Sequence, residues 1–207
     1  IHGHGNYVSW DVIKKTNSSA VIKYEHNSNA FGWPWDYQAK QSFSLKDLEC
    51  TMELTVKNKS NINMPVGFGI HPFFNFDDEI QLKFKAEKEW IGAPEEFPIK
   101  TKFVENNFHI NDKKKLWKIQ KTVCYENFEG EIEISWVNKN KKIKINADKV
   151  FNHLIVHVPK GGKYFCIEPV SHPTDSFNLV HKKIENIKNQ FLKPNESFTG
   201  FIKIGVN

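Results

Sequence analysis

Residues 131–136 read Glu131-Ile132-Glu133-Ile134-Ser135-Trp136. Every second side chain is apolar, and the intervening ones are acids or a serine. A period of two is that of a β-strand with one face packed and the other wet. The stretch Asn138-Lys139-Asn140 then supplies turn chemistry. Ile143 and Ile145 resume the alternation, so the segment predicts a β-hairpin.

Working outward, the same period recurs at Met52, Leu54 and Val56, and at Ile80, Leu82, Phe84 and Ala86. It returns at Leu154, Val156 and Val158, and finally at Ile202, Ile204 and Val206. Half-buried runs of this kind belong to antiparallel sheets. Gly, Asn, Pro and Asp punctuate the chain between them, the rhythm of a sandwich or barrel. Gly161-Gly162 lies between two such runs and lacks a phosphate-loop context, so it reads as a hairpin turn. One short helix is expected over Lys182–Phe191, where Ile184, Ile187 and Phe191 share a face. The expectation is an all-β chain, a large antiparallel β-sandwich forming a single domain over residues 1–207. No internal repeat or low-complexity linker divides it.

All 29 basic residues are lysine. A guanidinium clamp on phosphate or carboxylate is therefore excluded within this chain. The net charge of +5 comes from lysines scattered along strands and turns, with one run, Lys113-Lys114-Lys115, read as an exposed turn. No nucleic-acid partner is expected. Cysteines occur only at 50, 124 and 166, with no CxxC and no Cys/His spacing of a zinc site. These readings predict buried thiols in a reducing, cytoplasmic compartment and no metal. No stretch has the apolar length of a membrane span, so no membrane partner is expected. The chain opens on Ile1 rather than Met, and we read this as not the natural start of the gene product.

Three segments interrupt the alternation with clustered His, Pro, Gly and carboxylates: His2-Gly3-His4-Gly5 followed by Trp10, residues 63–74, and residues 166–178. Singly, each has an ordinary explanation. His71 before Pro72 suits a hydrogen-bonded strand end, Glu168 a solvated strand end or a buried acid, and His172 and Asp175 a turn. Jointly they supply an imidazole and a carboxylate, which can run general acid–base chemistry near neutral pH. Opening a sugar hemiacetal needs a base at the anomeric hydroxyl and an acid at the ring oxygen, and requires no cofactor.

At these segments the sequence resembles the aldose 1-epimerase family. His2-Gly3, Gly5 and Trp10 look like its early HG-x-G…W motif. Phe31 to Tyr37, then Ala39, is similar to the stretch before its central strands. The run from Asn63-Met64-Pro65 through Gly67-Phe68-Gly69-Ile70-His71-Pro72-Phe73-Phe74 is similar to its "MP-x-GFG-x-HPYF" segment. Glu168-Pro169-Val170-Ser171-His172-Pro173-Thr174-Asp175 resembles "EPVTHPTD". The resemblance implies the galactose mutarotase-like supersandwich, here lacking the family's N-terminal strands, with an aldohexose in an open cleft and no cofactor. It implies Glu168 as general base, His71 as general acid and His2 as a substrate-binding histidine. Phe73, Phe74 and Trp90 are candidate stacking surfaces for a sugar ring, and Asp175 a further contact. The expected geometry has His71 and Glu168 facing each other across the cleft, about one sugar ring apart.

Two departures stand out. The family carries a portion before the HG motif, usually with an Arg that touches sugar; this chain starts at the motif and has no Arg. Tyr125, a candidate substrate contact, occupies the place of a usual Asp three residues before Phe128-Glu129-Gly130, and Glu126 beside it is expected on the opposite face. The readings left open are an aldose 1-epimerase acting on a hexose such as glucose or galactose, a non-catalytic carbohydrate-binding protein of the same fold, and a hexose-6-phosphate 1-epimerase. The oligomeric state is not encoded in any of these motifs.

Overall fold

The computed structural model describes residues 2–76, 80–91, 100–104, 109–110, 122–181, 183 and 190–206. It groups into two compact units, residues 1–66 with 190–203, and residues 67–189 with 204–207.

The first unit opens with an antiparallel ribbon of four strands: β1 (Asp11–Lys15), β2 (Ser19–His26), β3 (Tyr37–Lys46) and β4 (Glu49–Asn58). A short strand β5 (Met64–Val66) follows. Met52, Leu54 and Val56 alternate as expected but are only half-buried. The unit's own core forms around Met64, Val66 and Leu192, with Trp33, Trp35, Tyr37 and Phe198 packed against it. Trp33 and Trp35 are thus packing residues, 5.0 Å apart. The early motif is fixed locally, because Trp10 Nε1 donates to the Gly5 carbonyl at 2.8 Å.

The second unit holds β6 (Phe73–Asn75), β7 (Ile80–Phe84), β8 (Lys88–Ile91), β9 (Lys100–Phe103), β10 (His109–Ile110), β11 (Thr122–Glu126), β12 (Glu131–Trp136), β13 (Lys141–Ala147), β14 (His153–His157) and β15 (Tyr164–Val170). One sheet runs β13-β12-β7-β10; the other runs β6-β15-β14-β11-β8-β9. All the pairings are antiparallel. Ile80, Leu82 and Phe84 from one sheet meet Leu154, Val156, Phe165 and Ile167 from the other in a shared core that also takes Ile132, Ile134 and Trp136. Burying one such side chain contributes about 1.5–3 kcal/mol, so the alternation seen in the sequence accounts for the sheet-on-sheet packing.

Two expected turns form as hairpins. Asn140 closes the β12–β13 connection at φ 48°, and Gly161 that of β14–β15 at φ 67°. The helix prediction fares differently. A single-turn helix, α1 (Ser176–His181), lies earlier, inside the third motif. Of the expected Lys182–Phe191 helix, residues 182 and 184–189 lie outside the described residues, and its end is strand β16 (Gln190–Leu192), paired to β5. Exposed Phe191 with buried Leu192 is strand parity, not a helical face. The Lys113–Lys115 run also lies outside the described residues. The last strand is β17 (Ser197–Val206). The three cysteines are free thiols, Cys50 half-buried and the other two buried. Among the described residues, no helix is long and apolar enough to cross a membrane.

Candidate active site

The second and third motifs are nearly a hundred residues apart in sequence and are stitched together by backbone. Gly69 bridges Val170. Ile70 N–H donates to the Pro169 carbonyl at 3.1 Å, and Ser171 N–H to the Phe68 carbonyl at 2.9 Å. Phe68 N–H in turn donates to Ser171 Oγ at 2.9 Å. This close approach explains two of the glycines. A Cβ on Gly69 would lie 2.5 Å from Val170 Cγ1, and one on Gly67 would lie 2.0 Å from His172 Cδ2. Neither can be accommodated without displacing the partner strand or the His172 ring.

Stitched this way, the loop delivers His71 to Glu168. Nε2 of His71 lies 3.4 Å from Oε1 of Glu168, the histidine side chain 34% exposed and the glutamate 8%. The expected separation of a sugar ring is therefore not found; the two groups are in contact, because the Gly69–Val170 bridge places the loop against β15 directly beside Glu168. Burial pushes the Glu168 carboxyl up to about 7. The His71 ring stacks on Phe73 at 4.7 Å and 8°, and Phe73 contacts Tyr164 at 5.3 Å. Phe73 is 62% exposed. An open aromatic ledge thus adjoins the acid–base pair.

Register sorts the other candidates by sheet face. Glu168 pairs with Ile155, and Ile155 with Cys124. Tyr125 pairs with Glu89, which places the next residue, Trp90, on the Cys124 face. Trp90 is buried there with Cys124 and Leu179, beside Ile155. Its Nε1 is a buried donor with no hydrogen-bond partner. Asp175 initiates α1: its carbonyl accepts from Leu179 N–H at 3.1 Å, and its Oδ1 accepts from Asn178 Nδ2 at 2.6 Å. Its Oδ2 is buried without a partner. Two unpaired buried polar atoms are costly unless a ligand or water meets them.

Two expectations need correction. Phe74 and Tyr125 both point into the core. Phe74 packs on Phe165 at 5.5 Å, and Tyr125 meets Phe84 edge-on at 5.0 Å. Phe73 and Phe74 are neighbours on one strand and must point to opposite faces, so only Phe73 can wall the cleft. For the same reason Glu126, not Tyr125, shares the Glu168 face. Burial raises the Glu126 carboxyl, with Lys88 opposing and Glu87 adding to the shift. His2 belongs to the first unit and is exposed.

Sequence reasoning missed His153 as a neighbour of the site. His153 pairs with Glu126 and Val170. Burial, and then the nearby His172, push its imidazole down to about 4. Cys166 is two residues before Glu168 and shares its face, as the alternation in the sequence implies. Burial and then the Glu168 carboxylate push its thiol up to about 12.

Comparison with known proteins places the chain as a whole. The family model for aldose 1-epimerase matches residues 1–205. The Escherichia coli K12 protein YphB, itself uncharacterized, is 24% identical over 216 residues, covering all of this chain and 71% of that protein. A galactose mutarotase-like protein from Clostridium acetobutylicum superposes with a TM-score of 0.82 at 21% identity, over the whole of this chain and 69% of its own. One from Lactobacillus casei gives 0.78 at 17% identity, over 96% of this chain and 73% of its own. The fold is thus that of galactose mutarotase-like proteins, and the chain belongs to the aldose 1-epimerase family.

Proposed function

We propose that the chain is an aldose 1-epimerase, interconverting the α and β anomers of an aldohexose. The observation that carries this reading is the contact between a half-exposed imidazole and a buried carboxyl with a near-neutral pKa. In a cyclic sugar the anomeric hydroxyl and the ring oxygen are bonded to the same carbon. A base and an acid that touch each other can therefore serve both oxygens at once.

In the forward step the Glu168 carboxylate removes the proton from the anomeric hydroxyl. The electron pair forms the C1 carbonyl, the C1–ring-oxygen bond breaks, and the His71 Nε2–H proton passes to the departing ring oxygen. The open-chain aldehyde turns about C1–C2 and presents its other face. On reclosure neutral His71 takes the hydroxyl proton and protonated Glu168 returns one to the carbonyl oxygen. Each residue ends as it began, and nothing is oxidised or reduced.

Phe73, stacked on the His71 ring and well exposed, offers an aromatic edge beside the acid–base pair. Trp90 Nε1 and Asp175 Oδ2 supply a buried donor and a buried acceptor for sugar hydroxyls. With no arginine in the chain, an unphosphorylated hexose suits it better than a sugar phosphate.

The test is polarimetry on freshly dissolved α-D-glucose and α-D-galactose with the parent chain and Glu168→Gln. A positioned acid–base group contributes roughly 10²- to 10⁴-fold. Glu168→Gln, nearly isosteric, should lose about that factor in kcat with circular dichroism unchanged. Wild-type turnover in Glu168→Gln would remove Glu168 as the base. No acceleration by the parent chain on any aldohexose leaves the carbohydrate-binding reading.

A further inference from the structure

We infer that His71, Cys166 and Glu168 form a binding site for a thiophilic divalent cation of the Zn²⁺ class, and that the cation occupies the position the sugar needs. Among the described residues, a ring nitrogen of His71, the Cys166 sulfur and a Glu168 carboxylate oxygen all lie within 4.8 Å of one another. They are the donor types zinc uses, and their spacing in sequence gives no hint of it.

The geometry is close to what a metal requires. With Zn–N near 2.0 Å and Zn–S near 2.3 Å, the edges of a tetrahedral site are about 3.5 Å. The His71–Glu168 edge already measures 3.4 Å. The donors come from two adjoining supports: Cys166 and Glu168 lie on β15, and His71 lies on the loop just before β6, the strand paired to β15.

Charge also favours the cation. A carboxylate, a thiolate and a neutral imidazole around M²⁺ sum to zero, which suits a buried floor better than separate ions do. On binding, the metal–sulfur bond forms and the thiol proton leaves to the buffer; no electrons change hands. Three protein donors leave a fourth position toward the exposed side of His71, the pattern of an open site. The cation would hold both lone pairs that the acid–base chemistry uses. Only this inhibitory consequence rests on the epimerase reading; the binding itself does not.

The experiment is a titration of the metal-stripped chain with Cd²⁺, following the ultraviolet cadmium–thiolate charge-transfer band. Parent, Cys166→Ser, Cys50→Ser and His71→Ala proteins are compared. The expected result is one Cd²⁺ per chain, a band lost in Cys166→Ser and kept in Cys50→Ser. His71→Ala should bind at least about tenfold more weakly, since even outer-shell losses cost that much. A band that persists in Cys166→Ser, or no saturable band in the parent, overturns the site. If Cys166→Ser does not fold, unchanged affinity in His71→Ala overturns it instead. Polarimetry of the metal-free parent is scored separately: absent activity there sinks the epimerase reading and leaves the cation site standing.

Discussion

Strands β12 and β15 belong to the same unit and differ in one respect. β12 alternates cleanly, with Ile132, Ile134 and Trp136 buried and Glu131 exposed. β15 is buried at every position from Phe165 to Val170. The first is covered on one face only, so its other face can carry lysine and glutamate. The second has the core behind it, at Phe165 and Ile167, and on its other face His71 meets Glu168, while Leu179 of α1 packs with Cys124 and Trp90 beside Ile155. Burial on both faces puts a carboxylate where water is scarce, and that is what raises its pKa. A strand built for stability keeps its charges wet; the strand that carries the site gives up that comfort at one residue.

The comparison can be broken at several strengths. The largest stability effect belongs to β12. Ile134→Ala removes a fully buried side chain and should cost about 2–5 kcal/mol in urea unfolding. The folded fraction should keep the parent's kcat, because the site lies on the other sheet; a lost kcat with the fold intact would show that the two strands are not separable.

Acid titration comes next. Glu168 is raised from 4.5 to about 7 on folding, so its contribution is full below pH 4.5 and is lost as pH rises through 7. His153 is lowered from 6.5 to about 4, so its contribution is full above pH 6.5 and is lost as pH falls toward 4. Between pH 4.5 and 6.5 the two slopes oppose each other. Relative to the parent, Glu168→Gln should gain stability as pH rises through this window and His153→Gln should lose it. Each difference amounts to at most about 3 kcal/mol. Curves parallel to the parent's would show that neither burial is felt in solution.

The smallest effect is on the wet face of β12. Glu133 meets Lys142 at 3.1 Å with both side chains well exposed. Glu133→Gln should change stability by under about 0.5 kcal/mol, and salt should erase what there is. A larger loss would mean that the outer face of β12 is covered in solution.

Parity carried most of the fold in the sequence. The runs at 80–84, 132–136 and 154–158 fall on strands β7, β12 and β14, the last ending at His157, with the predicted residues buried, because a two-residue period has one structural meaning when one face is packed. What parity withholds is the sign. It said that Tyr125 and Glu126 face opposite ways, and the wrong one was turned toward the site. Val123 next but one, fully apolar, was the available signal that this parity is the core's. The His71–Glu168 pairing was legible only through the two motifs, since nothing local in residues 67–74 points to residues 168–173. Their contact depends on Gly67 and Gly69, whose missing side chains are silent in any hydrophobicity pattern. His153 escaped notice because a polar residue inside an apolar strand reads as core until its face is known.

The hydrogen bond from Phe68 to Ser171 Oγ spans 103 residues. Closing a loop of that length costs about 4 kcal/mol of chain entropy before any contact repays it. The stitching of the two motifs is therefore expected late in folding, after the hairpins β12–β13 and β14–β15, whose partners are neighbours in sequence. Regain of activity after dilution from denaturant thus becomes a clock for the last long-range closure, and it should lag behind the recovery of β-structure seen by circular dichroism.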